Sequence, residues 1–315
     1  MIAQQISNLE LFLRRAKVGE EVRSAFGRSK RWLTRWWDPA VSREIANVTL
    51  SLPLSHPLPI NLEIFPLYDR QITPLVASLR KKYPDLRMID VGANIGDTAA
   101  LAKAETDIPV LCIEGNPRIL PYLKRNLSRL GTIQLAETFV GMENGAVAFE
   151  IEHTPGSASI RRNRNADHSL PLATMQTILK KFPEFADAKF LKVDTDGFDG
   201  TVLRSARDYL TRTQPVLLFE VDPKLLGQQG EDAHALLDFL VSLNYEQFMI
   251  YDNFGNFLIS LDRDQQDGFR DLVSYHLNSI QSLYWDVIAF ASIDRDVHDK
   301  FRISERNRCV IRRLP

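Results

Sequence analysis

Short apolar runs alternate with amphipathic stretches through the middle of this chain, the pattern of strands buried on both faces and joined by crossover helices. Strands are expected over 88–91, 110–114, 133–140, 190–193 and 216–221, with helices over 98–104, 117–130, 175–181, 200–209 and 236–243. Gly131 stops the second of these helices, and Pro117 suits its first turn. Residues 146–152 alternate sides like a half-exposed hairpin strand, after a turn bracketed by Gly141 and Gly145, and 248–251 and 283–290 read as closing strands. The pattern predicts an α/β fold, a doubly wound, mostly parallel sheet with an N-terminal helical extension.

Upstream, 72–82 reads as a helix with Pro74 in its first turn and Arg80, Lys81 and Lys82 at its negative end, closed by Pro84. Between Val48 and Tyr68 the prolines at 53, 57, 59 and 66 are expected to exclude a helix and a central strand, leaving extended chain or edge structure. Leu9, Phe12, Leu13 and Ala16 recur at helical spacing, and Trp32, Trp36 and Trp37 crowd three of the four tryptophans together. As far as Asp38 this arm carries Arg14, Arg15, Lys17, Arg23, Arg28, Lys30, Arg31 and Arg35 against Glu10, Glu20, Glu21 and Asp38. Three parts follow: a basic Trp-rich helical arm (1–45), an extended connector with a helix (46–84) and a main domain (85–315).

Composition narrows the picture. A length of 315 residues with net charge −1, 44% hydrophobic and 25% charged residues, suits one large α/β domain plus an appendage. No apolar run approaches a membrane span, and Arg14, Arg15 and Lys17 arrive too soon for a signal-peptide core. Cys112 and Cys309 fit no disulfide or metal pattern. A cytoplasmic place is expected, with a membrane-peripheral alternative through the arm, whose Lys/Arg and Trp suit a lipid surface or an acidic glycan. The plainer reading docks the arm on the core or on a second subunit.

The candidate chemistry starts at Asp90-Val91-Gly92-Ala93-Asn94-Ile95-Gly96-Asp97, a strand, a glycine turn and a helix start. Its Gly-x-Asn-x-Gly spacing seats a pyrophosphate poorly, which shifts the expectation from NAD to S-adenosylmethionine. Glu114 ends the next strand, where such folds place a carboxylate on ribose hydroxyls. Further acids follow the fourth and fifth strands: Asp194, Asp196 and Asp199, then Glu220 and Asp222. Crowded carboxylates raise one another's proton affinity and call for a partner such as a hydroxyl, a sulfonium, a lysine or a metal.

With these motifs in order, the chain resembles the FkbM-type S-adenosylmethionine-dependent methyltransferases. The resemblance rests on Ile89 through Gly96, Glu114-Gly115-Asn116-Pro117, Phe190 through Asp199, Phe219 through Pro223 and Tyr251 through Gly255, and spans roughly residues 60–292. It implies a Rossmann-like methyltransferase sheet and O-methyl transfer to a hydroxyl of a sugar, glycolipid, polysaccharide or related natural product such as a polyketide. Asp90, Gly92, Asn94, Gly96, Asp97, Glu114 and Asn116 are then expected at the cofactor. Asp194, Asp196, Asp199 and Glu220 are expected in catalysis, and Asp222 on the acceptor. Where the family often carries Thr-Leu-Asp before the fourth strand, this chain has Thr174-Met175-Gln176.

Arg161, Arg162 and Arg164, in a Gly- and Ser-bearing loop, are candidates to grip a phosphate on the acceptor. His153 and His168 compete for the role of base, while His56, His234, His276 and His298 have no contextual support. Mg2+ held by strand-end acids and waters is a minority expectation. A non-catalytic glycan-binding scaffold and a dinucleotide-dependent oxidoreductase are the alternatives. The core lacks the concentrated basic surface that nucleic acid wants, and a homo-oligomer is an open option.

Overall fold

The structure, a computed structural model, describes residues 1–154, 157–162, 169–279 and 284–311, without the side chains of 147–168 and 309–311. The N-terminal part runs α1 (Ile2–Arg15), α2 (Glu20–Thr34), β1 (Ala40–Ile45), β2 (Val48–Pro53), α3 (Leu58–Ile64) and α4 (Ile72–Lys82). The core follows as β3 (Met88–Val91), α5 (Asp97–Ala102), β4 (Val110–Glu114), α6 (Leu120–Leu127) and β5 (Ile133–Glu137). Then come β6 (Phe139–Val140), β7 (Gly145–Thr154), β8 (Ser157–Arg162), β9 (Ser169–Ala173) and α7 (Met175–Lys181). Next are β10 (Phe190–Val193), α8 (Asp199–Ser205), α9 (Arg207–Thr213), β11 (Val216–Val221), α10 (Pro223–Gln228) and α11 (Ala233–Ser242). The chain ends in β12 (Tyr245–Asp252), β13 (Phe257–Asp262), α12 (Gln266–Asn278), β14 (Trp285–Ala291) and α13 (Arg295–Ile311).

Eight strands form the central sheet in the order β13-β12-β14-β11-β10-β3-β4-β5. The five from β11 to β5 are parallel, and β14, β12 and β13 are antiparallel. Alternate residues of the parallel strands enter two cores, as the pleat requires. Ile89, Val91, Leu191, Val193, Leu217 and Phe219 pack with α7 to α11 on one face. Met88, Cys112, Phe190, Val216 and Leu218 pack with α4, α5 and the β1–β2 hairpin on the other. From β3 the chain winds outward to β4 and β5, and from β10 the other way to β11. The reversal lies between β3 and β10, where open sheets of this kind open a crevice at their carboxyl ends.

The structure departs from the sequence reading in several places. A helix does form in the proline-rich connector: α3 has Pro57 at its N-cap and Pro59 in its first turn, where a missing N–H costs nothing. The strand expected over 133–140 breaks after Glu137, and Phe139–Val140 leave it to join β9 in a separate sheet of order β6-β9-β7-β8. The helix expected over 200–209 is two, α8 and α9, and β13, α12 and α13 are additions. The arm boundary at residue 45 falls at the turn of the β1–β2 hairpin. In α1 the buried residues are Ala3, Ser7, Glu10 and Leu11, while Leu9 and Phe12 face out. Polar links hold the inner side instead: Lys30 donates to Glu10 (2.6 Å), Arg15 pairs with Glu63 (2.8 Å), and Gln4 accepts from the Ser42 N–H.

Candidate active site

The turn after β3 is built against the end of β10. Gly92 (φ +75°) and Gly96 (φ +88°) take left-handed backbone, and Asn94 (φ +47°) is a residue type that tolerates it. A Cβ on Gly92 would lie 1.8 Å from the Asp194 carbonyl oxygen, so glycine alone lets the two loops meet. Glu114, at the end of β4, accepts the Asn94 N–H on Oε2 (2.9 Å) and the Asn116 N–H on Oε1 (2.7 Å). Burial pushes its carboxyl up to about 7 against those N–H donors.

Beneath the turn sits a buried ion cluster. Lys192 faces Asp90 at the same register of adjacent strands, with its ammonium 3.4 Å from Asp90 and 3.3 Å from Asp194, and donates to the Gly92 carbonyl (3.2 Å). Burial pulls the Lys192 ammonium down, but Asp194, Asp90, Asp97 and Asp69 outweigh it and hold it well above its ordinary value. Asp90 is completely buried, and burial raises it to about 6 although Lys192 opposes the shift.

A cavity of about 1600 Å³ opens over the switch point. That exceeds the roughly 300–1,000 Å³ of a pocket for one drug-sized ligand, so two reactants have room. Of the residues expected at the cofactor, Gly92, Asn94, Glu114 and Asn116 line it, and Asp90, Gly96 and Asp97 do not. Of the expected catalytic acids, Asp194, Asp196 and Glu220 line it, with the Asp194 side chain 48% exposed. Asp199 does not line it: buried at the start of α8, it accepts from the Thr195 hydroxyl (3.1 Å) and holds the loop. Burial first, then Asp194, raises Asp199 to about 7. Glu220 lines the cavity with its carboxyl held well above its ordinary value, by burial first and then by Asp194. Asp222 lines the cavity but caps α10, accepting from the N–H groups of Lys224 (2.8 Å) and Leu225 (3.1 Å).

The side chains of Arg161, Arg162, Arg164, His153 and His168 lie outside the described residues. Four residues the sequence reading passed over join the site. His56 is buried; its Nδ1 accepts the Leu58 N–H (3.2 Å), so Nε2 carries the proton toward Asn94 Oδ1 (3.1 Å). Burial lowers His56 to about 4 and keeps the imidazole neutral. Lys192 was readable only as part of a strand, and Tyr68 and Tyr284 line the cavity from segments with no motif. Among the described residues, no group of three or more His, Cys, Asp or Glu is arranged to hold a metal ion.

A doubly wound sheet with a glycine turn, a strand-end carboxylate and a second acidic loop meeting at its switch point defines a Rossmann-like α/β protein with a nucleotide-type site. The profile of the Methyltransferase FkbM domain matches residues 90–247, half of the chain, and the protein belongs to the FkbM methyltransferase family. Among solved structures, the FkbM methyltransferase of Methylobacillus flagellatus KT is 17% identical with a TM-score of 0.39, over 52% of this chain and 39% of that one. The chain thus spans well under two thirds of that protein. The precorrin-6y C5,15-methyltransferase of Geobacter metallireducens GS-15 is 14% identical with a TM-score of 0.38, over 70% of this chain and 86% of that one. The METTL16 methyltransferase domain is 12% identical with a TM-score of 0.43, over 84% and 77%. No curated protein matches the chain.

Proposed function

We propose that the protein is an S-adenosylmethionine-dependent O-methyltransferase acting on a hydroxyl of a sugar, glycolipid, polysaccharide or related natural product. The observation that carries this reading is that Asp194 and Glu220 face the same cavity as the Gly92–Asn94 turn and Glu114. The donor set suits the cofactor. Gly92 lets the turn close against the Asp194 backbone at the cavity wall, Asn94 and Asn116 offer side-chain amides, and Glu114 keeps lone pairs for ribose hydroxyls beyond the Asn94 and Asn116 N–H groups it already accepts. S-adenosylmethionine supplies an electrophilic methyl group on a sulfonium.

The chain's own work is alignment first and proton transfer second. Holding two reactants in attack geometry supplies about 7–11 kcal/mol of a barrier, whereas a general base adds a factor of about 100 to 10,000. Asp194, open to the cavity and held by Lys192, is the group assigned to take the hydroxyl proton. Glu220, which burial biases toward its protonated form, is the group assigned to donate a hydrogen bond to the acceptor and orient it. Titration calorimetry with S-adenosylhomocysteine and NADH tests the cofactor half: tight binding of NADH alone would point to the oxidoreductase, and binding of neither to a scaffold. Labelled methyl transfer onto a panel of free and lipid-linked sugars tests the rest. Asp194→Asn is expected to cut turnover about 100-fold or more, the scale of a lost general base, and to leave S-adenosylhomocysteine affinity little changed.

A further inference from the structure

We propose that helix α2 seats the protein on an anionic lipid surface, with the mouth of the cavity beside that surface. The helix divides into three stripes. Phe26, Lys30 and Leu33 face inward, Lys30 onto buried Glu10. Val22, Ala25, Ser29, Trp32 and Trp36 recur in alternating steps of three and four and are exposed, with Trp32 66% and Trp36 82% accessible. Trp36 extends the stripe because its N–H still bonds to the Leu33 carbonyl in the turn that ends the helix.

Between these two stripes run Arg28, Arg31 and Arg35, all exposed, and among the described residues none of them is in a salt bridge. Arginines flanking a row of apolar and tryptophan side chains match a surface that is negative outside and apolar a few ångströms in, because the indole sits at the headgroup level while the guanidinium meets phosphate. Arg31 and Arg35 also line the cavity, so the lipid-facing helix and the cavity rim are one element. Trp37, the residue after Trp36, is also exposed at 42%. The charge of the flanking stripe decides for an anionic bilayer over a second protein.

The docking depends on the proposed function only for what the cavity would meet at the surface, and its test needs no acceptor. The full chain is sedimented with vesicles of phosphatidylcholine alone and of phosphatidylcholine and phosphatidylglycerol in equal parts. Binding to the mixed vesicles, weakened by added salt, is expected, with little binding to the neutral ones. Arg31→Gln and Arg35→Gln should each weaken it about fivefold, the usual effect of one basic residue near such a surface. Trp32→Ser combined with Trp36→Ser should abolish it while S-adenosylhomocysteine affinity in solution is unchanged, since neither tryptophan lines the cavity. Equal binding to neutral vesicles, no binding by the full chain, or retention by the tryptophan double variant would overturn the proposal. So would a vesicle-free dimer that the double variant dissociates, which would assign the stripe to contacts between copies. Loss of S-adenosylhomocysteine affinity with vesicle binding intact would count against the proposed function alone.

Discussion

Gly92 and Lys192 are the residues on which the junction of the two strand-end loops turns. Gly92→Ala would place a methyl group 1.8 Å from a backbone oxygen that no rotamer change can move, in a left-handed conformation that itself costs about 1–2 kcal/mol. A lowered urea midpoint and loss of S-adenosylhomocysteine binding are expected together. Lys192→Met strips the ammonium from buried Asp90. Removing one partner of a buried pair costs about 3–5 kcal/mol when the charge left behind cannot escape. Asp90, raised to about 6, escapes by taking a proton. Without the ammonium its proton affinity rises further, so the loss of stability is expected to be smallest below about pH 6 and to grow as pH rises above it; a loss independent of pH would show that Lys192 acts through packing alone. Glu220→Gln keeps the shape of the side chain and a hydrogen-bond donor toward the cavity, so turnover near the unmodified level is expected, in contrast to Glu220→Ala.

At the level of elements, the cofactor turn is tied to the hairpin and to α6 by one side chain. Asn126 on α6 is completely buried; its Oδ1 accepts the Ser51 N–H (2.7 Å) while its Nδ2 donates to the Ser51 (2.8 Å) and Ile95 (2.9 Å) carbonyls. Asn126→Ala leaves three buried backbone groups without partners, each worth about 1–3 kcal/mol. A large drop in stability is expected, with weaker S-adenosylhomocysteine binding because Ile95 belongs to the turn. Unchanged stability in a denaturant titration would mean that water replaces the amide. This link joins residues 31 and 75 positions apart, so no local pattern in the sequence announces it. The helix α3 is another case: proline spacing alone argues against it, yet both prolines fall where helix geometry permits them.

Across the whole molecule, the buried and half-buried carboxyls make stability depend on pH. Asp69, Asp199 and Glu114 are raised by burial to about 7 and Asp90 to about 6, all above their unfolded values. The folded chain therefore holds more protons than the unfolded chain on these groups, and the stability they contribute is present at low pH and lost as pH rises through about 6 to 7. His56 works the other way: lowered to about 4, it costs stability as pH falls from its unfolded value toward that point. The thermal midpoint of the ligand-free protein is expected to rise as pH is lowered from about 8 to about 6.5, where four carboxyls act and His56 does not yet oppose them. A midpoint that falls steadily over that interval in scanning calorimetry would contradict the burial of these acids.

The fold class was legible because buried parallel strands write continuous apolar runs, and the turn at Gly92 to Gly96 because left-handed backbone needs glycine or asparagine. The acids at the ends of β10 and β11 were legible as a group for the same reason, since strand ends can be read from where apolar runs stop. Which acids reach the cavity was not: Asp194, Asp196 and Glu220 line it while Asp199 turns inward to hold its own loop, a difference of side-chain direction that spacing does not encode. The strand order, the switch point between β3 and β10, and the contacts of Lys192, His56 and Asn126 join residues distant in the chain. Only packing decided them, because burial, not local propensity, selects which polar groups must find one another.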